Sequence, residues 1–285
     1  MSIGYNLFDL ADCGANLRLS GSGHNLFDLA ERAPYNDINL TLVNPKGYNL
    51  FDLAKIGGSY LTLDFGSNSP NDGTLDSIGY NLFDLVDCRA NLRLSGSGHN
   101  FFDLAEEASY NDINLTLVNP RGCDLIDLAK RGCGSYLTLD FGSGSPNDNP
   151  LDSIGYNLFD LVVDRGANLR LSGSGYNLFD LAEKASKNRI NLTLVNPRGY
   201  NLFDLAKIGG SYLTLDFGSN SPNYNLFDLV HCGANLRLSG SGHNLFDLAE
   251  EAFDNFIDLT LVNPKGYNLF DLAKIGGAYL TIDYY

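Results

Sequence analysis

Apolar positions along this chain switch repeatedly between two spacings. In Asn6-Leu7-Phe8-Asp9-Leu10-Ala11, the residues Leu7, Leu10 and Ala11 lie at i, i+3 and i+4, one apolar stripe that predicts a short helix. Asn6 is a good N-cap, and Asp9 falls in the first turn, where the helix dipole favours a carboxylate. Gly14, or the pair Gly57-Gly58, then stops the helix. The segments that follow, such as Asn16-Leu17-Arg18-Leu19-Ser20 and Tyr60-Leu61-Thr62-Leu63-Asp64, alternate with period two and predict half-buried strands. Of the 24 inward strand positions, 23 are Leu and one is Ile282, so all the strands must face one common core.

The helical segment occurs twelve times, opening at residues 5, 24, 48, 80, 99, 123, 156, 176, 200, 224, 243 and 267. Its spacing divides residues 1–285 into units 1–76, 77–152, 153–222 and 223–285, three helix–strand coils each, within one domain. Repetition at this period implies coils stacked in one dimension, and identical coil order implies parallel strands joined by right-handed crossovers. The expected fold is therefore an α/β right-handed solenoid of about twelve coils with one parallel sheet, roughly 55 Å long at ~4.8 Å per strand. Helices need ~8–10 Å between axes, so the array should curve with its strands on the concave side.

Leu10-Ala11-Asp12-Cys13-Gly14-Ala15-Asn16-Leu17-Arg18-Leu19-Ser20-Gly21, followed by Asn25-Leu26-Phe27-Asp28-Leu29-Ala30, resembles the leucine-rich repeat superfamily, nearest its cysteine-containing type. The resemblance implies a horseshoe with a parallel sheet inside, binding proteins on its concave face. It carries no binding residues over, because the extra leucine step before the strand and the ladder Asn after it are missing.

Charge and composition narrow the partners. A net charge of −15 argues against nucleic acid and anionic membranes. No apolar run approaches the ~20 residues of a membrane span, so no membrane insertion is expected. The five cysteines (Cys13, Cys88, Cys123, Cys133, Cys232) are odd in number and irregularly spaced, which fits free thiols better than disulfides or metal ligands. Without a recognisable leader, the default location is cytoplasmic; removal of a leader would make the chain secreted.

Candidate chemistry is sparse, and the expectation is a protein that is not an enzyme and needs no cofactor or metal. Gly21-Ser22-Gly23 lies between strand and helix, where a phosphate-binding loop belongs, but lacks the lysine; a tight turn explains it better. Asp64-Phe65-Gly66 matches a kinase metal-binding tripeptide, without the accompanying nucleotide loops. His24, His99, His231 and His243 lack ligand spacing. Asn39-Leu40-Thr41 and its copies match the glycosylation sequon but sit at strands. The recurring helix aspartates (Asp9, Asp28, Asp52 and onward to Asp271) and the loop Asn68–Gly73 are the acidic candidates for calcium, a weaker alternative.

The outward sheet face carries a three-strand beat of Arg, Thr, Thr, with each third-strand Asp (Asp64, Asp140, Asp216) beside the next unit's Arg. Its candidate contact residues are Arg18, Tyr60, Arg93, Tyr136, Arg170, Tyr212, Arg237 and Tyr279, since Tyr and Arg are enriched in contacts. The Thr row suggests ice binding, but an Arg every third rung spoils a flat array. Two functional readings follow: a structural protein stacking head to tail on itself into filaments, Asp283 of one copy beside Arg18 of the next, or a scaffold binding a protein partner on the sheet face. Recognition on the sheet face predicts that its positions differ between units, and end-to-end assembly predicts sameness. The differences gather in one loop (Ala33–Asp37 against Ser186–Arg189 and Phe253–Phe256) while the sheet face hardly changes, which favours the structural reading.

Overall fold

The computed structural model describes residues 6–22, 25–46, 49–66, 81–95, 101–120, 124–132, 134–142, 166–173, 178–198, 201–219, 225–241 and 244–284. The expected helices form where their caps are. Asn6 and Asp9 make a capping box at helix Leu7–Asp12, and Asn81 and Asp84 make one at Leu82–Asp87. Asn49, Asn201 and Asn268 each accept from two backbone N–H groups of their helices' first turns. The twelve strands are β1 (Asn16–Ser20), β2 (Leu40–Val43), β3 (Leu61–Asp64), β4 (Asn91–Ser95), β5 (Leu115–Val118), β6 (Leu137–Asp140), β7 (Asn168–Ser172), β8 (Leu192–Val195), β9 (Leu213–Asp216), β10 (Asn235–Ser239), β11 (Leu259–Val262) and β12 (Leu280–Asp283). All pair in parallel with their sequence neighbours, as the repeat requires.

The expectation of an open solenoid is wrong at one point, and that point changes the architecture. β12 pairs with β1, Asn16 opposite Thr281 and Arg18 opposite Asp283, so the sheet closes into a twelve-stranded barrel ringed by helices. The register expected between two stacked copies is found within one chain. Closure follows from the spacings themselves. Helices at ~10 Å and strands at ~5 Å, in layers about 10 Å apart, fit concentric rings of radii about 20 and 10 Å, and the inner ring then holds about twelve strands.

Register supplies the tilt that a closed sheet needs. Within a unit the rows run level: Leu17 pairs with Leu40, and Leu40 with Leu61. At each junction the register steps by two residues, so that Thr62 faces Asn91 and Asp64 faces Arg93. The same step recurs between β6 and β7, β9 and β10, and β12 and β1, eight residues in all. Eight residues are about 26 Å along the strands against about 58 Å across them, a lean of about 25° from the barrel axis.

The core is the annulus between sheet and helices. Leu17, Leu19, Leu40, Leu42, Leu61 and Leu63 point outward from the barrel and are buried against helix residues such as Leu10, Leu26, Leu29, Leu53 and Ala54. The other sheet face lines a lumen. Its walls are Thr, Asn, Ser, Arg and Asp, and the half-buried Thr41, Thr62 and Thr116 remain in reach of water. A twelve-stranded barrel is wider than the eight-stranded kind that side chains fill.

Candidate functional site

Four arginines and four aspartates form an unbroken ring around the lumen. Arg18 reaches back to Asp283 on β12 (Nη1 to Oδ1, 3.3 Å) and forward over β2 to Asp64 on β3 (Nη2 to Oδ2, 2.7 Å). Arg93 repeats this between Asp64 and Asp140 at 3.0 and 2.6 Å, and Arg170 between Asp140 and Asp216 at 3.1 and 2.7 Å. Arg237 completes the circle from Asp216 to Asp283 at 3.1 and 2.7 Å. The aspartate side chains are at most 2% exposed, the arginines 23–28%. Asp64, Asp140 and Asp216 also accept from the N–H of Gly66, Gly142 and Gly218, whose positive φ turns the chain at the strand end.

Burial alone would push the Asp216 carboxyl up; Arg237 and Arg170, with the Gly218 N–H, more than reverse it and hold it below its ordinary value. For Arg93 and Arg170, burial pulls down and the flanking aspartates pull up more strongly, so both stay protonated. The ring is internally neutral and its carboxylates are committed. It has the properties of a girdle that fixes the barrel's circumference, not of an acid–base pair awaiting substrate.

A second belt stitches the junctions at the other end of the strands. Where the two-residue step leaves backbone groups unpaired, Asn16 donates to the Ala278 carbonyl at 2.7 Å and accepts from the Asn39 N–H at 2.7 Å. Asn91, Asn168 and Asn235 do the same to Ser59, Ser135 and Ser211 on one side, and to the N–H of Asn114, Asn191 and Asp258 on the other. Between this belt and the Thr row lies a cavity of about 330 Å³, lined by residues that include Asn16, Asn39, Thr41, Thr214, Asp258 and Thr281.

The structure separates the predicted contact residues. The four arginines face the lumen and are held in the ring. The four tyrosines stand at the rim where the strands begin. Tyr60 donates to Asp37 at 2.7 Å and Tyr136 to Asp112 at 2.8 Å, bonds that raise both phenols above their ordinary value. Tyr279 packs edge-on against Phe253 and Phe256, with ring centres 5.9 and 5.8 Å away. Tyr212 is half-buried just before β9.

Other motifs resolve into local structure. The first glycine of Gly-Ser-Gly is forced by proximity: a Cβ on Gly21, Gly173 or Gly240 would lie 2.3 Å from the Cα of Pro45, Pro197 or Pro264. In Asp64-Phe65-Gly66, the Asp joins the ring, Phe65 enters the core and Gly66 makes the turn. Cys13, Cys88 and Cys232 are half-buried free thiols that follow helices, and burial pushes each up from its ordinary value. His231 contacts Glu251 at 2.9 Å; His24, His99, His243, Cys123, Cys133 and the loop 68–73 lie outside the described residues. Among the described residues no group of three or more His, Cys, Asp or Glu converges on a metal-sized site, and no helix is long and apolar enough to cross a membrane.

Nothing in the sequence announces the Asn stitches, and Asp283, expected beside Arg18 of a second copy, joins it within one chain. Asp258 carried a signal, being an Asp where the other units have Asn39, Asn114 and Asn191. No protein-family model matches the chain, and no curated protein matches it in sequence.

Proposed function

We propose that the protein is a non-catalytic interaction ring whose contact surface is the rim at the strands' starting ends, and whose partner is a second copy of itself. The observation that carries this is where the units differ. The turns between the second helix and second strand of each unit read Tyr35-Asn36-Asp37, Tyr110-Asn111-Asp112, Lys187-Asn188-Arg189 and Asp254-Asn255-Phe256. These helices run antiparallel to the strands, so all four turns sit on one face of the ring. Tyr35 is 88% exposed, Tyr110 84% and Phe256 72%, a cost in water that buried contact would remove.

Charge and apolarity on this face are self-complementary. Unit three is basic (Lys187, Arg189), while unit two beside it is acidic (Glu106, Asp112). A two-fold axis in the plane of the face, passing between units two and three, sets unit two against the partner's unit three twice over. It sets the aromatics of unit one against those of unit four. Such an isologous contact closes as a dimer. End-to-end filaments need free strand edges, and β1 and β12 use theirs on each other. A folded partner on the sheet face would need to enter a lumen of about 10 Å backbone radius.

Sedimentation velocity over a concentration series tests the proposal. A dimer should form in the wild type and dissociate in the triple variant Tyr35→Ser, Tyr110→Ser, Phe256→Asp. A wild type that stays monomeric at the highest soluble concentration overturns it.

A further inference from the structure

We infer that the lumen cavity at the strands' starting ends binds a small hydroxylated primary amine, its ammonium group held by Asp258. In units one and two the position equivalent to Asp258 is an asparagine whose Nδ2 faces the stitching residue's Oδ1: Asn39 to Asn16 at 3.4 Å, Asn114 to Asn91 at 3.3 Å. An ionised aspartate has no proton to give. Its backbone N–H still donates to Asn235 Oδ1 at 2.9 Å, but its carboxylate cannot repeat the side-chain donation that Asn39 and Asn114 make to the equivalent oxygens. The substitution removes that donor and puts a carboxylate beside Asn235 in the wall of a cavity of about 330 Å³.

Charge in the lumen points the same way. The Arg–Asp ring cancels itself, and each of its arginines already holds two carboxylates. Among the described residues the Asp258 side chain has no hydrogen-bond or ion-pair partner. It is open to the cavity yet crowded by the wall, and the resulting desolvation raises its carboxyl above the ordinary value. A cation beside it would offset that penalty. One carboxylate among amides and hydroxyls is a poor donor set for a divalent metal, which takes several charged or carbonyl oxygens. A primary ammonium has three N–H donors, enough to bridge Asp258 and Asn235 Oδ1 together. The remaining lining, Asn16, Asn39, Thr41, Thr214, Thr260 and Thr281, offers amides and hydroxyls matched to hydroxyl groups on the same ligand.

The test is a protein-observed NMR titration with 2-amino-1,3-propanediol as probe, with glycerol and choline as comparisons. The amine should shift resonances of lumen residues saturably, glycerol and choline at least tenfold more weakly, since one lacks the charge and the other the N–H donors. Asp258→Asn restores the residue found in the other three units, so the fold is retained; it should weaken amine binding at least tenfold. Asn39→Asp should create a second site. Equal response to amine and glycerol, amine binding unchanged in Asp258→Asn, or no saturable shift in the lumen each overturns the inference.

Discussion

Replacing Asp140 by Asn separates a structural girdle from an ornamental set of surface ion pairs. Asp140 is buried in the middle of the chain, away from the β1–β12 seam. Its Oδ1 accepts from Arg170 at 3.1 Å and from the Gly142 N–H at 2.8 Å; its Oδ2 accepts from Arg93 at 2.6 Å. The amide keeps the first oxygen and puts an NH2 donor against the Arg93 donor, with two guanidiniums left sharing one fewer charge. Breaking one partner out of a buried pair costs about 3–5 kcal/mol; lumen water reaching the arginines places this case near the low end, about 3 kcal/mol. Urea unfolding followed by circular dichroism at pH 7 reads the loss. Asp127→Asn, which removes an exposed pair with Lys130, is the control, and exposed pairs of this kind contribute about 0.2–1 kcal/mol. The double variant Asp140→Asn, Arg93→Met should lose less than the sum of its singles, because the second change removes a charge stranded by the first. A loss at Asp140 no larger than that at Asp127, or strict additivity in the double variant, would refute the girdle.

Three further outcomes are expected. Leu139→Ala should cost about 2–5 kcal/mol in the same assay, since Leu139 is fully buried in the annular core; a loss below about 1 kcal/mol would place it outside the core. Gly173→Ala should lower the thermal midpoint, because its Cβ would meet Pro197 backbone, while Ala at the half-buried helix position Ser186 should not. In acid, Asp216, with its folded carboxyl lowered, binds fewer protons than in the unfolded chain; its stabilisation is complete above the unfolded value of about 3.9 and is lost as pH falls through the folded one. Unfolding midpoints flat from pH 6 to pH 2 would contradict that.

The elements were legible because each is announced twice, by period and by cap. Asn49 before Leu50 marks a helix start as surely as the i, i+3, i+4 stripe does, and the Leu-x-Leu pairs mark strands whose outward rows must share a core. The Arg–Asp neighbours were legible for the same reason, since a three-strand beat sets Asp64 beside Arg93. Closure was harder to see, because no residue encodes it. It is a property of the ratio between helix and strand spacing summed over twelve coils, together with a two-residue step that only pairing reveals. The bond from Arg18 to Asp64 across an intervening strand also needed the curvature, which brings alternate strands close enough on the inner wall for one side chain to span. Asp258 was visible as a break in repetition, but an exception gains meaning only when the row it breaks is known to line a cavity.

Ring closure within one chain is the central claim, and one distance tests it. Helices Leu7–Asp12 and Leu269–Gly276 are neighbours across the seam, with Cys13 close enough to Lys274 for that ammonium to lower its thiol against the larger upward push of burial. In a variant with the native cysteines replaced by serine, spin labels at Asp9→Cys and Lys274→Cys report their separation by pulsed electron resonance. Samples diluted with unlabelled protein exclude contacts between copies. A closed ring predicts a separation on the order of 10–20 Å, set by one helix-to-helix step plus the label arms. An open array would hold the labels about 50 Å apart, eleven strand spacings along the sheet, and that result would contradict the account.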